Sequence, residues 1–153
     1  GAPPEKKANP ENVVDGQFSG PFVLASALAT GAMGWDSYAG LRDAKVRALL
    51  PRIACAFDPE IEAEFPANMS GKVTLRARGQ SFTRKVVVPK GEPANFLTEA
   101  ELRAKFHGLA DAVLGADRAA RLADAVLGIA QAPDVAAVMR FATPATGTAR
   151  LAG

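Results

Sequence analysis

A chain of 153 residues, 48% hydrophobic and 22% charged, is sized and composed for one soluble domain with a core of its own. A formal charge of +2 is too small to make nucleic acid the expected partner, and no run approaches the ~20 apolar residues that span a bilayer, so no membrane role is expected. Cys55 is the single cysteine, which excludes an internal disulfide and fits a reduced, cytoplasmic setting.

In chain order, "GAPPEKKANPEN" is Pro-rich and polar without an apolar period, and reads as a flexible arm or linker over residues 1–12. It carries no initiating Met, as a piece cut from a longer chain would. "SGPFVLASALATG" follows as a helix, with Ser19 at the N-cap, Pro21 in the first turn and Gly31 at the stop. Its faces are nearly all apolar or small, which implies burial on most sides. "DSYAGLRDAKVRALL" predicts a second helix from near Asp36 to Pro51, with Leu41, Leu49 and Leu50 toward the core and Trp35 at the corner. "RIACAF" reads as a short strand, and "EIEAEFPANMSG" as an irregular acidic connection.

"KVTLRAR" alternates Val73, Leu75 and Ala77 with Lys72, Thr74, Arg76 and Arg78, the period of a strand with one face buried. "SFTRKVVVP" returns across "GQ", giving a hairpin over residues 72–89 with Gly79 in its turn. Beyond it, Thr98 and Glu101 have the spacing of a capping box, and Leu97 with Leu102 that of a hydrophobic staple. Leu102, Phe106, Leu109 and Val113 then line one helix face as far as Gly115. Asp117 caps the next helix, with Leu122, Val126 and Ile129 on one side, and Pro133 opens a last short one. The predicted fold class is α+β: a small antiparallel sheet with a central hairpin, flanked by packing helices over residues 13–140. Residues 141–153 read as a frayed tail.

Chemistry is sparse. His107, the only histidine, reads as a boundary or solvated residue with no partner one turn away, and Cys55 as a small core residue. Arg76, Arg78, Arg84, Lys85 and Lys90 cluster on the hairpin; they read as a solvated face that guards against edge pairing, without the interleaved aromatics of a nucleic-acid platform. Glu60, Glu62 and Glu64 lack the loop of an EF-hand, and "KGEP" lacks the spacing of a phosphate loop. In "GEPANFLTEAELRAKF" the glycine and proline turn the chain, Asn95 supports the turn, and the capping box engages the amides an anion would use. On the residues alone, no self-contained active site is expected, and no metal site.

Two segments nevertheless resemble one family in order. "QFSGPFVLASALATG" resembles the pattern A-x-F-S-x-x-Y-x-x-A-x-A-L-x-x-G, and "GEPANFLTEAELRAKF" resembles G-x-P-x-N-P-L-T-x-E-E-L-x-x-K-F, preceded by a hairpin. Both patterns are those of the C-terminal part of the MmgE/PrpD family, which includes 2-methylcitrate dehydratase, cis-aconitate decarboxylase and iminodisuccinate epimerase. The resemblance extends over residues 12–140.

It implies an α+β lid domain that packs on a larger helical N-terminal domain, in cis or in trans, with the active site in the cleft between them. It further implies a lyase or isomerase that moves protons on small di- or tricarboxylates with no metal and no cofactor, and a lid that is inactive alone because most catalytic groups lie elsewhere. No residue of this chain is assigned as catalytic. Phe22 stands where decarboxylase-like and dehydratase-like members often carry a cleft-facing Tyr, so Phe22 and Ser19 are substrate-pocket candidates, and Phe96 stands where the family usually has Pro. Arg84, Lys85 and Lys90 are the candidate cations for a substrate carboxylate. The second expectation is a non-catalytic binding or assembly module that keeps the lid fold and covers its exposed face as a homo-oligomer.

Overall fold

Serine before a Gly-Pro pair predicts a helix start, and in the computed structural model, which describes residues 4–144, Ser19 does cap one. Its Oγ accepts from the Phe22 amide at 3.1 Å, and the helix runs over Gly20–Thr30 until Gly31, at φ 80°, takes the left-handed turn that ends it. The chain divides after Glu62 into two compact units, described in turn.

The first unit holds helices α1 (Pro4–Ala8), α2 (Val13–Gln17), α3 (Gly20–Thr30), α4 (Ala44–Leu49) and α5 (Pro59–Glu62). Phe22, Ala25, Leu41, Val46 and Leu50 form its core, with Tyr38, Met33 and Ile53 packed against them. Burying each large member removes on the order of 1.5–3 kcal/mol of apolar exposure. The expected flexible arm of residues 1–12 is instead tied down where it is described. Ser19 Oγ donates to the Lys7 carbonyl, Arg47 donates to the Asn9 side chain and to the Pro10 carbonyl, and Pro10 is buried. Hydrogen bonds reaching it from α3 and α4 hold a segment that its own composition would leave loose.

The predicted helix from Asp36 to Pro51 is broken in two. A 3-10 helix spans Trp35–Arg42, and Asp43 then caps α4, its Oδ1 accepting from the Lys45 and Val46 amides at 2.7 and 3.2 Å. An Asp that captures amides one turn ahead starts a helix instead of continuing one. The predicted strand over "RIACAF" does not form, since no described strand pairs with it. Ile53 packs on the core, while Cys55 is exposed, not a core residue.

The second unit opens with a cis Phe65–Pro66 bond and the hairpin β1 (Gly71–Ala77) and β2 (Gln80–Val86), antiparallel from Gly71↔Val86 to Ala77↔Gln80. The turn is Arg78–Gly79, at φ 53° and 72°, one residue earlier than expected, so a non-glycine residue takes a left-handed conformation. Helices α6 (Glu99–Leu114), α7 (Ala116–Leu127) and α8 (Val135–Met139) complete it. Arg103 ties α6 to α7, bonding Glu99 and Asp124 at 2.8 Å each. The fold is α+β, a two-stranded antiparallel sheet with helices before and after it in the chain.

Two predicted helix starts move. Gly115, not Asp117, precedes α7, and Asp117 lies in its first turn. Asp134 rather than Pro133 opens α8, accepting from the Ala137 amide at 2.7 Å. Most of the expected tail lies outside the described residues.

Candidate functional site

The predicted site residues fall in both units. In the first, Ser19 and Phe22 share the opening turn of α3, and both are buried, at 1% and 0% exposure. Ser19 is fully engaged: its hydroxyl donates to the Lys7 carbonyl and accepts from the Phe22 amide. The Phe22 ring stacks on Tyr38 with centroids 5.9 Å apart, and Trp35 meets Tyr38 edge-on at 5.6 Å. Phe22 is therefore a core ring here. One turn further along α3, Ser26 Oγ is buried with no hydrogen-bond partner among the described residues.

The three hairpin cations do not form one cluster. Side chains alternate along a strand, so Arg84 and Lys85 point to opposite sheet faces. Lys85 shares its face with Lys72, Thr74, Arg76 and Thr83 and pairs with Glu64. Arg84, opposite Val73, sits on the other face among Val73, Leu75, Phe82 and Val86. Lys90 lies beyond the strand, 3.0 Å from Glu101 at the start of α6.

Sequence patterning led to the expectation that this apolar sheet face would be buried. It is open: Val73, Leu75, Phe82 and Val86 are 39–55% exposed. The α6 stripe behaves alike. Leu102, Leu109 and Val113 are 44–49% exposed while Phe106 is half-buried, and the buried residues of the neighbouring α7 are Ala119 and Ala123. Alternation and 3.6-residue spacing locate an apolar face correctly, but they do not say whether the chain itself supplies the cover.

The "GEPANFLTEAELRAKF" corner is built as expected. Gly91 has φ 104°, the Asn95 side-chain amide donates to the Val88 carbonyl at 3.0 Å, and the Gly91 amide donates back to Asn95 at 2.9 Å. Thr98 and Glu101 close a reciprocal capping box. The Thr98 backbone amide bound to Glu101, followed by Lys90 and the Thr98 hydroxyl, lowers this carboxyl from 4.5 to about 2. The helix start thus holds its own anion, a carboxylate supplied by the chain.

One pair was overlooked in the sequence. His107 Nδ1 lies 2.8 Å from Asp111 Oδ1, one helical turn on. The i,i+4 spacing was legible and contradicts the reading of His107 as unpartnered. Among the described residues no helix is long and apolar enough to cross a membrane.

The family model described as the MmgE/PrpD C-terminal domain matches residues 4–131. Comparison with curated proteins and with solved structures gave no match. The matched span contains the capped α3, the hairpin, the Gly91–Asn95 corner and the boxed start of α6, which are the segments that carried the resemblance. The chain therefore belongs to the MmgE/PrpD family, as a representative of its C-terminal domain.

Proposed function

We propose that this domain is the lid of an MmgE/PrpD-type lyase or isomerase acting on small di- or tricarboxylates, and that it works only when seated on a helical N-terminal domain, in cis or in trans. The observation that supports this is the second unit's surface. Among its described residues the buried hydrophobics are Ala119, Ala123 and Val138, two of them small, while the hairpin face and Leu102, Leu109 and Val113 of α6 stand open. A unit that leaves its larger apolar side chains in water has its stabilising burial still to make against another surface.

In this reading the roles of the hairpin cations separate. Glu64 and Glu101 already engage Lys85 and Lys90. Arg84, set within the apolar face with no ion-pair partner among the described residues, is the one available to a carboxylate, and desolvation by a covering surface would strengthen that contact. Phe22 then shapes the first unit from its core rather than donating a proton, since its ring carries no hydroxyl.

The test is to mix the chain with the helical domain of an MmgE/PrpD protein and follow assembly by light scattering on a sizing column. A one-to-one complex that Leu109→Asp weakens at least tenfold supports the lid reading. A stable homodimer that refuses the helical domain would instead favour the assembly module.

A further inference from the structure

The N-terminal end of α7 and the C-terminal end of α8 enclose a cleft of about 320 Å³ lined by Asp117, Arg118, Arg121, Arg140 and Phe141. Three arginines and one aspartate thus share its lining. Arg140 and Phe141 lie beyond the span matched by the family model, which ends at residue 131, so the cleft is not part of what the match describes.

Its cations are held in different ways. Arg118 is spent on structure: its Nε donates to the Phe141 carbonyl at 3.2 Å and its Nη2 to the Arg140 carbonyl at 2.6 Å, pinning the end of α8 to α7. The Arg140 guanidinium lies over the Phe141 ring, 4.9 Å from its centroid, a stacking that limits its rotamers and leaves its N–H edges available. Arg121, one turn after Asp117 and Arg118, has no hydrogen-bond or ion-pair partner among the described residues. Asp117 forms no ion pair there either, although its i,i+4 spacing to Arg121 invites one.

We propose that this cleft binds a small oxyanion-bearing ligand, a phosphate or a compact dicarboxylate, between Arg121 and Arg140. A guanidinium offers a planar pair of donors that matches two oxygens of such a group. Arg118 supplies fixed positive charge at the back, and Asp117 sets a limit on affinity by repelling the anion. Because the site is open to solvent and screened by salt, binding is weak, with a Kd roughly in the millimolar range.

The experiment titrates the whole chain with inorganic phosphate in one arm and succinate in the other, following backbone amide shifts by nuclear magnetic resonance at low ionic strength. Saturable shifts confined to Asp117–Arg121 and Arg140–Phe141 are expected. Arg121→Ala and Arg140→Ala should each weaken binding about tenfold, and Asp117→Asn should tighten it severalfold. The tighter arm identifies the source of the oxyanion. Arg121 contacts no described partner, so its variant keeps the parent circular dichroism spectrum and melting temperature, which separates lost binding from lost folding. Saturable binding that both arginine variants leave unchanged, or no saturable shift in either arm, overturns the proposal.

Discussion

The Lys90 ammonium lies 3.0 Å from Glu101 Oε2, the same oxygen that accepts the Thr98 amide at 2.8 Å. A candidate substrate cation and a helix cap are thereby one network, and a carboxylate approaching Lys90 must compete with Glu101.

That network titrates. Glu101 is depressed from 4.5 to about 2, so its contribution to the folded state is complete above about pH 4.5 and is lost as pH falls through about 2. Carboxyl-detected magnetic resonance should place its midpoint clearly below those of the other glutamates. Thr98→Ala removes only the hydroxyl and keeps the backbone amide and Lys90, so it should raise that midpoint only slightly while costing about 1 kcal/mol in urea unfolding. A midpoint near 4.5 in the parent chain would mean the box does not close.

At the hairpin tip, Arg78 carries φ 53° beside Gly79 at 72°. A two-residue turn of this hand favours Asn or Gly at its first position, because a longer side chain crowds the backbone there. Arg78→Asn should stabilise the second unit by about 0.5–1 kcal/mol, read as a higher urea midpoint. Destabilisation would place the turn elsewhere in the register.

On α3, Phe22 and Ser26 are buried one turn apart, the hydroxyl without a described partner. Ser26→Ala removes an unsatisfied group and should be neutral or stabilising by up to about 1 kcal/mol. Phe22→Tyr should destabilise the isolated chain by about 1–3 kcal/mol by burying a phenol. If it stabilises instead, the ring edge reaches solvent or a partner, and Phe22 lines an open pocket rather than a core.

The α6 stripe gives a fourth expectation. Leu102→Glu and Leu109→Glu change exposed positions, so each should shift the unfolding free energy of the chain alone by no more than about 0.5 kcal/mol. Both should lower its tendency to associate, measured by sedimentation. A loss of several kcal/mol would show that the chain itself buries the stripe.

Local devices were legible in the sequence and long-range ones were not. Gly31, Thr98, Glu101, Asn95 and the cap bond of Ser19 to Phe22 act over short stretches of chain, and each does in the structure what its spacing implies. The hold on the N-terminal segment depends on Arg47, far along the chain, and composition is blind to it. Asp43 and Asp134 were missed as caps because neighbouring helix formers and Pro133 gave competing signals. The separation of Arg84 from Lys85 followed from strand period alone, yet charge counting merged them into one cluster. His107 with Asp111 needed only a count of four.

In the proposed lid role, the open faces of this domain are completed by a helical partner to make an active site. The most direct measurement of that role is turnover of a small tricarboxylate by the chain alone, by the helical domain alone, and by the two mixed. Activity only in the mixture, reduced at least tenfold by Arg84→Ala with assembly preserved, is the predicted result. Turnover by the isolated chain, or a well-formed complex that turns over no di- or tricarboxylate, would contradict it.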